Sequence, residues 1–149
     1  MALTKSSTRA LTSADNVQAL LLYDILGGGA VDINTFHAVI DHPGTQIWGS
    51  FEGNELCAFA TVHVLPNMTQ NGRPYALIEN VASKPEHRGQ GHARTAMQAA
   101  IDTAWTADAY KIMLLTGQDT GARVFYEKLG FRADQKFGMQ LRRVPPRMP

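Results

Sequence analysis

The chain has 149 residues, a formal charge of +1, and 44% hydrophobic against 18% charged residues. That is enough chain for one domain with a buried core, and it excludes disordered and fibrous classes. So small a net charge supplies no field for sequence-independent nucleic-acid binding, and Arg142, Arg143 and Arg147 read as a solvated C-terminal cluster.

The N-terminal stretch Met1 to Arg9 lacks the unbroken apolar segment of a signal peptide, and the apolar run Gln18 to Tyr23 is too short to span a bilayer. A cytoplasmic protein with no membrane partner is expected. Residues 7 to 12 suit a first strand, after which Ser13 or Asp15 caps a helix whose apolar face is Val17, Leu20, Leu21 and Ile25. Gly27-Gly28-Gly29 stops it, since no Lys-Ser/Thr pair follows to make a phosphate loop. Asp32 or Asn34 caps a second short helix through Phe36, Val39 and Ile40, which ends at Asp41-His42-Pro43-Gly44.

From Thr45 the pattern turns to strand, with Ile47, Trp48 and Phe51 before the tight turn Glu52-Gly53-Asn54-Glu55. Leu56 to Leu65 pairs back as a hairpin. A polar connection from Pro66 to Pro74 leads to a third antiparallel strand, Tyr75 to Ser83. A glycine turn and a helix to about Ala107 follow, and Tyr110 to Thr116 reads as a buried strand parallel to its predecessor. Gly121 to Leu129 is a short helix closed by Gly130, and Phe131-Arg132 and Phe137 to Arg143 supply the final strand or strands. The expectation is an α/β fold with a mixed, mostly antiparallel sheet flanked by helices, in the order β-α-α-β-β-β-α-β-α-β. It forms one domain over residues 1–149, with 144–149 as a tail.

The chemistry concentrates in Glu86-His87-Arg88-Gly89-Gln90-Gly91-His92-Ala93-Arg94. A strand, two glycines and a helix start in this order allow positive φ and aim unpaired backbone N–H groups at an anion, and a diphosphate is the natural guest. The spacing is not that of a Walker loop. Nor is it a dinucleotide fingerprint, because Arg94 stands where a third small residue is needed. Cys57 is the sole cysteine, which rules out an internal disulfide and a multi-cysteine metal site, and its neighbours make it a buried hydrophobe. His37, His42, His63, His87 and His92 show no metal-ligand spacing, so no metal is expected.

Arg88-x-x-Gly91-x-Ala93 after Val81 to Pro85, with Ala122 to Phe131 some thirty residues on, resembles the GNAT superfamily of N-acetyltransferases. The first segment looks like that family's acetyl-CoA motif and the second like its Phe-Tyr-x-Lys-x-Gly-Phe signature. The strands Glu79-Asn80-Val81 and Tyr110-Lys111-Ile112 are similar to the branch that includes glucosamine-6-phosphate N-acetyltransferases.

The resemblance implies a site. The pantetheine arm of acetyl-CoA would lie along the backbone of Val81, Ala82 and Ser83 as an added strand, and the diphosphate would take N–H bonds from Gly89, Gln90, Gly91, His92, Ala93 and Arg94 beside Arg88. Tyr126 matches the tyrosine taken as the general acid for the departing thiolate, and a phenol suits a thiol. Glu79, in a largely apolar run, is the candidate base; the plain alternative is a structural carboxylate paired with a loop. Asp119 stands where many members carry an asparagine that contacts the pantetheine. As an acceptor-only group it suits a helix cap through Gly121 or Ala122. The implied activity is direct transfer of acetyl to a primary amine of a small molecule, by a homodimer. A protein or peptide acceptor, or a non-catalytic acyl-CoA-binding module, are the alternatives.

Overall fold

A computed structural model describes residues 5–146; the first four residues of the N-terminal reading, and Arg147 of the C-terminal cluster, lie outside the described residues. The chain divides into two compact units, Met1–Leu114 and Leu115–Pro149. In the first unit β1 (Ser6–Ala10), α1 (Asn16–Leu26), α2 (Ile33–Asp41), β2 (Thr45–Glu52), β3 (Glu55–Leu65), β4 (Tyr75–Ser83), α3 (His92–Thr106) and β5 (Ile112–Met113) follow one another. The five strands lie in the order β1-β2-β3-β4-β5, antiparallel except for the parallel pair β4 and β5.

Short-range signals set the helix starts. Thr12 and Asp15 form a capping box around the turn that leads into α1, and Asp15 also takes two 2.8 Å bonds from Arg9. Asp32 caps α2 by accepting the Thr35 N–H at 2.9 Å. The buried face of α1 differs from the expected one. Ala19 and Leu22 are fully buried, whereas Val17, Leu21 and Ile25 are exposed. Apolar residues occupy so much of this helix that periodicity offers more than one stripe. Gln18 chooses between them: its amide donates to the Asn54 carbonyl at 2.9 Å and accepts the Leu56 N–H at 2.8 Å, fixing the helix's rotation over the β2–β3 hairpin.

The two sheet faces carry different layers. Under α1 and α2 lie Ile47, Phe51, Phe59 and Ala82, with Tyr23 against Phe59 at 4.6 Å between ring centroids. Against the other face α3 buries Ala96, Met97, Ala100, Ile101 and Ala104, at the three- and four-residue spacing of one helix side. Complete burial of side chains such as Phe59, Leu22 and Met97 is worth about 1.5–3 kcal/mol each. Among the described residues no helix is long and apolar enough to cross a membrane.

The strand expected over Tyr110 to Thr116 shrinks to Ile112–Met113, because its ladder reaches only Ala76 and Leu77 on β4. In the second unit α4 (Arg123–Lys128) is present, but the final strand or strands expected at Phe131-Arg132 and over Phe137 to Arg143 are not. Phe137, Met139 and Leu141 keep the alternation of a strand yet are exposed. Alternation becomes a strand only where a neighbour accepts its backbone bonds, and no described residue does so.

Candidate active site

The glycine turn joins β4 to α3 through a short 3-10 turn, Pro85–His87. Gly89 and Gly91 have φ of +79° and +85°, conformations that an L side chain adopts only with strain. A Cβ built at either glycine meets nothing within 4 Å, so both backbones border open space. Gly91 caps the 15-residue α3 without a side-chain hydrogen bond, leaving first-turn N–H groups for an outside acceptor. Arg88, Gln90 and Arg94 are exposed beside them and Ala93 is half-buried. Among the described residues neither Arg88 nor Arg94 has an ion-pair partner, so both charges are free to face an anion.

Upstream, β4 carries a bulge. Phe59 is opposite Ala82 and Thr61 is opposite Glu79, so Asn80 and Val81 together face Ala60, and Asn80 takes φ of +50°. On its other side β4 runs six residues past Leu77, the last one paired with β5. Ile78 to Ser83 therefore present an edge that no described strand covers. Such an edge can accept an extended ligand by backbone hydrogen bonds. Val81 and Ser83 are half-buried and Ala82 is buried along it.

Glu79 is exposed, not enclosed by the apolar run around it. Its register partner is Thr61, on the face that also carries His63 and Thr45. Thr45 Oγ1 is 2.8 Å from His63 Nδ1 and 3.0 Å from His42 Nδ1, which makes a polar row toward the end of α2. Burial, then repulsion from His42, lowers the His63 pKa, with Glu79 pulling the other way, so the imidazole is neutral at pH 7. Sequence reasoning gave His63 no role; only its strand parity pointed toward Glu79.

The inward side of the turn is built differently. His92 is buried, with Nδ1 2.7 Å from Ser50 Oγ and Nε2 3.0 Å from Glu52 Oε1. His87 Nε2 lies 3.2 Å from Glu55 Oε1, which raises the imidazole pKa, and Lys84 Nζ sits 3.0 Å from the same oxygen. Cys57 is fully buried, as its neighbours implied, and burial pushes its thiol pKa up.

In the second unit Tyr126 is half-buried between Phe125 and Phe131, at centroid distances of 5.0 and 6.2 Å. Burial raises its phenol pKa, so the group keeps its proton at neutral pH and can donate it. Asp119 is exposed. The Ala122 N–H, one of the two bonds expected of it, goes to Thr120 Oγ1 at 3.4 Å, and α4 starts without a side-chain cap. A cavity of about 520 Å³ between β2 and the C-terminal half of α3 is lined by Gln46, Trp48 and Thr103 among others, and by none of the catalytic or cofactor-binding residues expected from the sequence.

A bulged, half-free strand that feeds a left-handed glycine turn and a bare helix N-terminus is an arrangement suited to an extended ligand that carries phosphate. The family model of the GNAT acetyltransferases matches residues 28–131, and the chain belongs to that family. It is 31% identical over 92 residues to glucosamine 6-phosphate N-acetyltransferase of Trypanosoma brucei brucei, a match spanning 62% of this chain and 61% of that relative's length. A solved structure from Agrobacterium tumefaciens str. C58, provisionally named an acetyltransferase, is 38% identical with a TM-score of 0.86, over 92% of this chain and 99% of that one. Glucosamine-6-phosphate N-acetyltransferase from Arabidopsis thaliana shares the fold at 19% identity, with a TM-score of 0.81 over 94% and 99% of the two chains.

Proposed function

We propose that the chain is an N-acetyltransferase that passes the acetyl group of acetyl-CoA directly to a primary amine of a small molecule, within one domain spanning residues 1–149. The observation that carries this reading is the pair of left-handed glycines at the bare N-terminus of α3, in line with the uncovered edge of β4. The diphosphate accepts N–H bonds from Gly89 through Arg94 and is flanked by Arg88. The pantetheine arm adds as a strand along Val81, Ala82 and Ser83, with Asp119 as a further contact. No metal takes part in the transfer.

The amine must lose a proton before its lone pair attacks the thioester carbonyl carbon. Glu79 takes that proton, and its exposure on the face shared with neutral His63 suits an acceptor arriving from solvent. As the tetrahedral intermediate collapses the C–S bond breaks, and Tyr126 gives its phenolic proton to the CoA thiolate. The match to the trypanosomal relative favours an amino-sugar phosphate among the small amines. We place the enzyme in the cytoplasm as a homodimer, and the exposed row Phe137, Met139 and Leu141 is the surface a second copy would cover.

A thiol-release screen across amine classes tests this reading: free CoA should appear with at least one amine and not without protein. Binding of acetyl-CoA with no CoA released for any amine would convert the protein into an acyl-CoA-binding module.

A further inference from the structure

Beneath the glycine turn, the fold gathers ligand atoms of Glu52, Cys57, His87 and His92 within 4.8 Å of one another. They come from two places. Glu52 and Cys57 lie at the closed end of the β2–β3 hairpin, while His87 ends the 3-10 turn before the glycines and His92 opens α3. The β2–β3 register shifts between Ser50 and Phe51, pairing Ala58 with Ser50 and Leu56 with Phe51, so Cys57 is the extra residue of a bulge. We propose that these four side chains hold a divalent zinc ion in a closed tetrahedral site that fastens the phosphate-binding turn to the hairpin.

The donor set fits. Two imidazoles, a thiolate and a carboxylate are the ligands zinc takes, and a site with all four positions filled by protein is structural in kind, not catalytic. Tetrahedral ligands at about 2.0–2.3 Å from the ion lie about 3.3–3.8 Å from one another, so the more widely spaced ligand atoms must draw together while the His92 Nε2–Glu52 Oε1 pair, now at 3.0 Å, opens slightly. His87 Nδ1 is buried with no hydrogen-bond partner and lies 3.8 Å from Glu52 Oε2. A buried nitrogen without a partner is costly, and a metal satisfies it.

The surroundings are those of ligating histidines. His92 Nδ1 is free to donate to buried Ser50 while Nε2 faces the site, and His87 Nε2 is within reach of Glu55, itself held by Lys84. Each imidazole thus has its second nitrogen oriented by another group. Glu52 and Glu55 are also register partners across the hairpin, and two carboxylates set opposite each other call for positive charge between them. On binding, the Cys57 thiol releases its proton to solvent and the ion takes its place.

The test uses the full chain without a histidine tag. Protein from zinc-supplemented growth should carry about one zinc per chain by elemental analysis. After chelation, cobalt(II) should restore tetrahedral d–d absorption together with a thiolate-to-cobalt charge-transfer band. That band can come only from Cys57, the sole cysteine, and Cys57→Ser should abolish it. Ser50→Ala, which removes only the partner of His92, should weaken zinc binding by about 10- to 100-fold. A stripped chain that keeps its circular dichroism, yet shows neither cobalt band nor zinc-dependent shift in its thermal midpoint, would overturn the proposal. A stripped chain that unfolds and refolds only with zinc would support it.

Discussion

The two sides of the Arg88 to Arg94 turn are made of different material. Outward, the turn is backbone: two glycines at positive φ, free N–H groups, and open space where side chains would be. Inward, it is side chain: His87 and His92 set among Ser50, Glu52, Glu55 and Cys57 of a hairpin thirty or more residues earlier. One side leaves backbone groups open to solvent, and the other ties the turn to the hairpin through side chains. A turn that binds a flexible diphosphate must hold its N–H groups in place beforehand, or the cost of ordering them is taken from the affinity.

This contrast predicts that outward substitutions alter cofactor handling and inward ones alter stability, while chemistry lies with neither. The largest effect belongs to chemistry: Tyr126→Phe should lower kcat by about 1000-fold, with acetyl-CoA affinity by calorimetry unchanged. If the variant is as fast as wild type, the acid is another group. Next, His92→Ala strips Ser50 and Glu52 of their shared partner inside the protein and should cost about 3 kcal/mol in urea unfolding. A variant of undiminished stability would mean the inward side does not brace the turn.

Glu79→Gln keeps the shape of the side chain but cannot take a proton, and should reduce kcat by about 100-fold in the acceptor assay. Retained activity would leave the amine to lose its proton to water. Gly91→Ala tests the outward side: KM for acetyl-CoA should rise about tenfold, at a stability cost of about 1–2 kcal/mol for a left-handed alanine. A KM unchanged by it would detach the diphosphate from this turn.

The smallest effect lies far from the turn. Arg9, then the Thr12 backbone N–H, lower the Asp15 pKa below its ordinary value despite the opposing effect of burial. Its contribution is therefore complete above the ordinary carboxylate range and is lost as pH falls through the lowered folded value. Asp15→Asn should cost about 1 kcal/mol at pH 7, and the two proteins should converge in stability in strong acid.

Strand parity, helix caps and glycine placement made much of the fold legible from local residues alone. Asp32 at the start of α2 and Gly91 at the start of α3 act within a few residues of themselves, so their neighbours in sequence suffice to read them. Longer-range choices were not legible. The face that α1 buries was set by Gln18 reaching Asn54 and Leu56, and the length of β5 by how far β4 stays beside it. Alternation at Phe137, Met139 and Leu141 signalled a strand, but a strand needs a partner that its own sequence cannot supply.

The candidate site divides in the same way. By itself the sequence determined the left-handed glycine turn at the start of α3 and Tyr126 in its aromatic setting, because both follow from residue types at short spacing. Only the tertiary structure decided that Glu79 faces open space near His63, and that Glu52, Cys57, His87 and His92 meet. The first depends on strand register, where a one-residue slip reverses every side chain. The second depends on a bulge that frees Cys57 from the ladder and on a helix start docking against a hairpin end. No spacing along the chain encodes a distance across it.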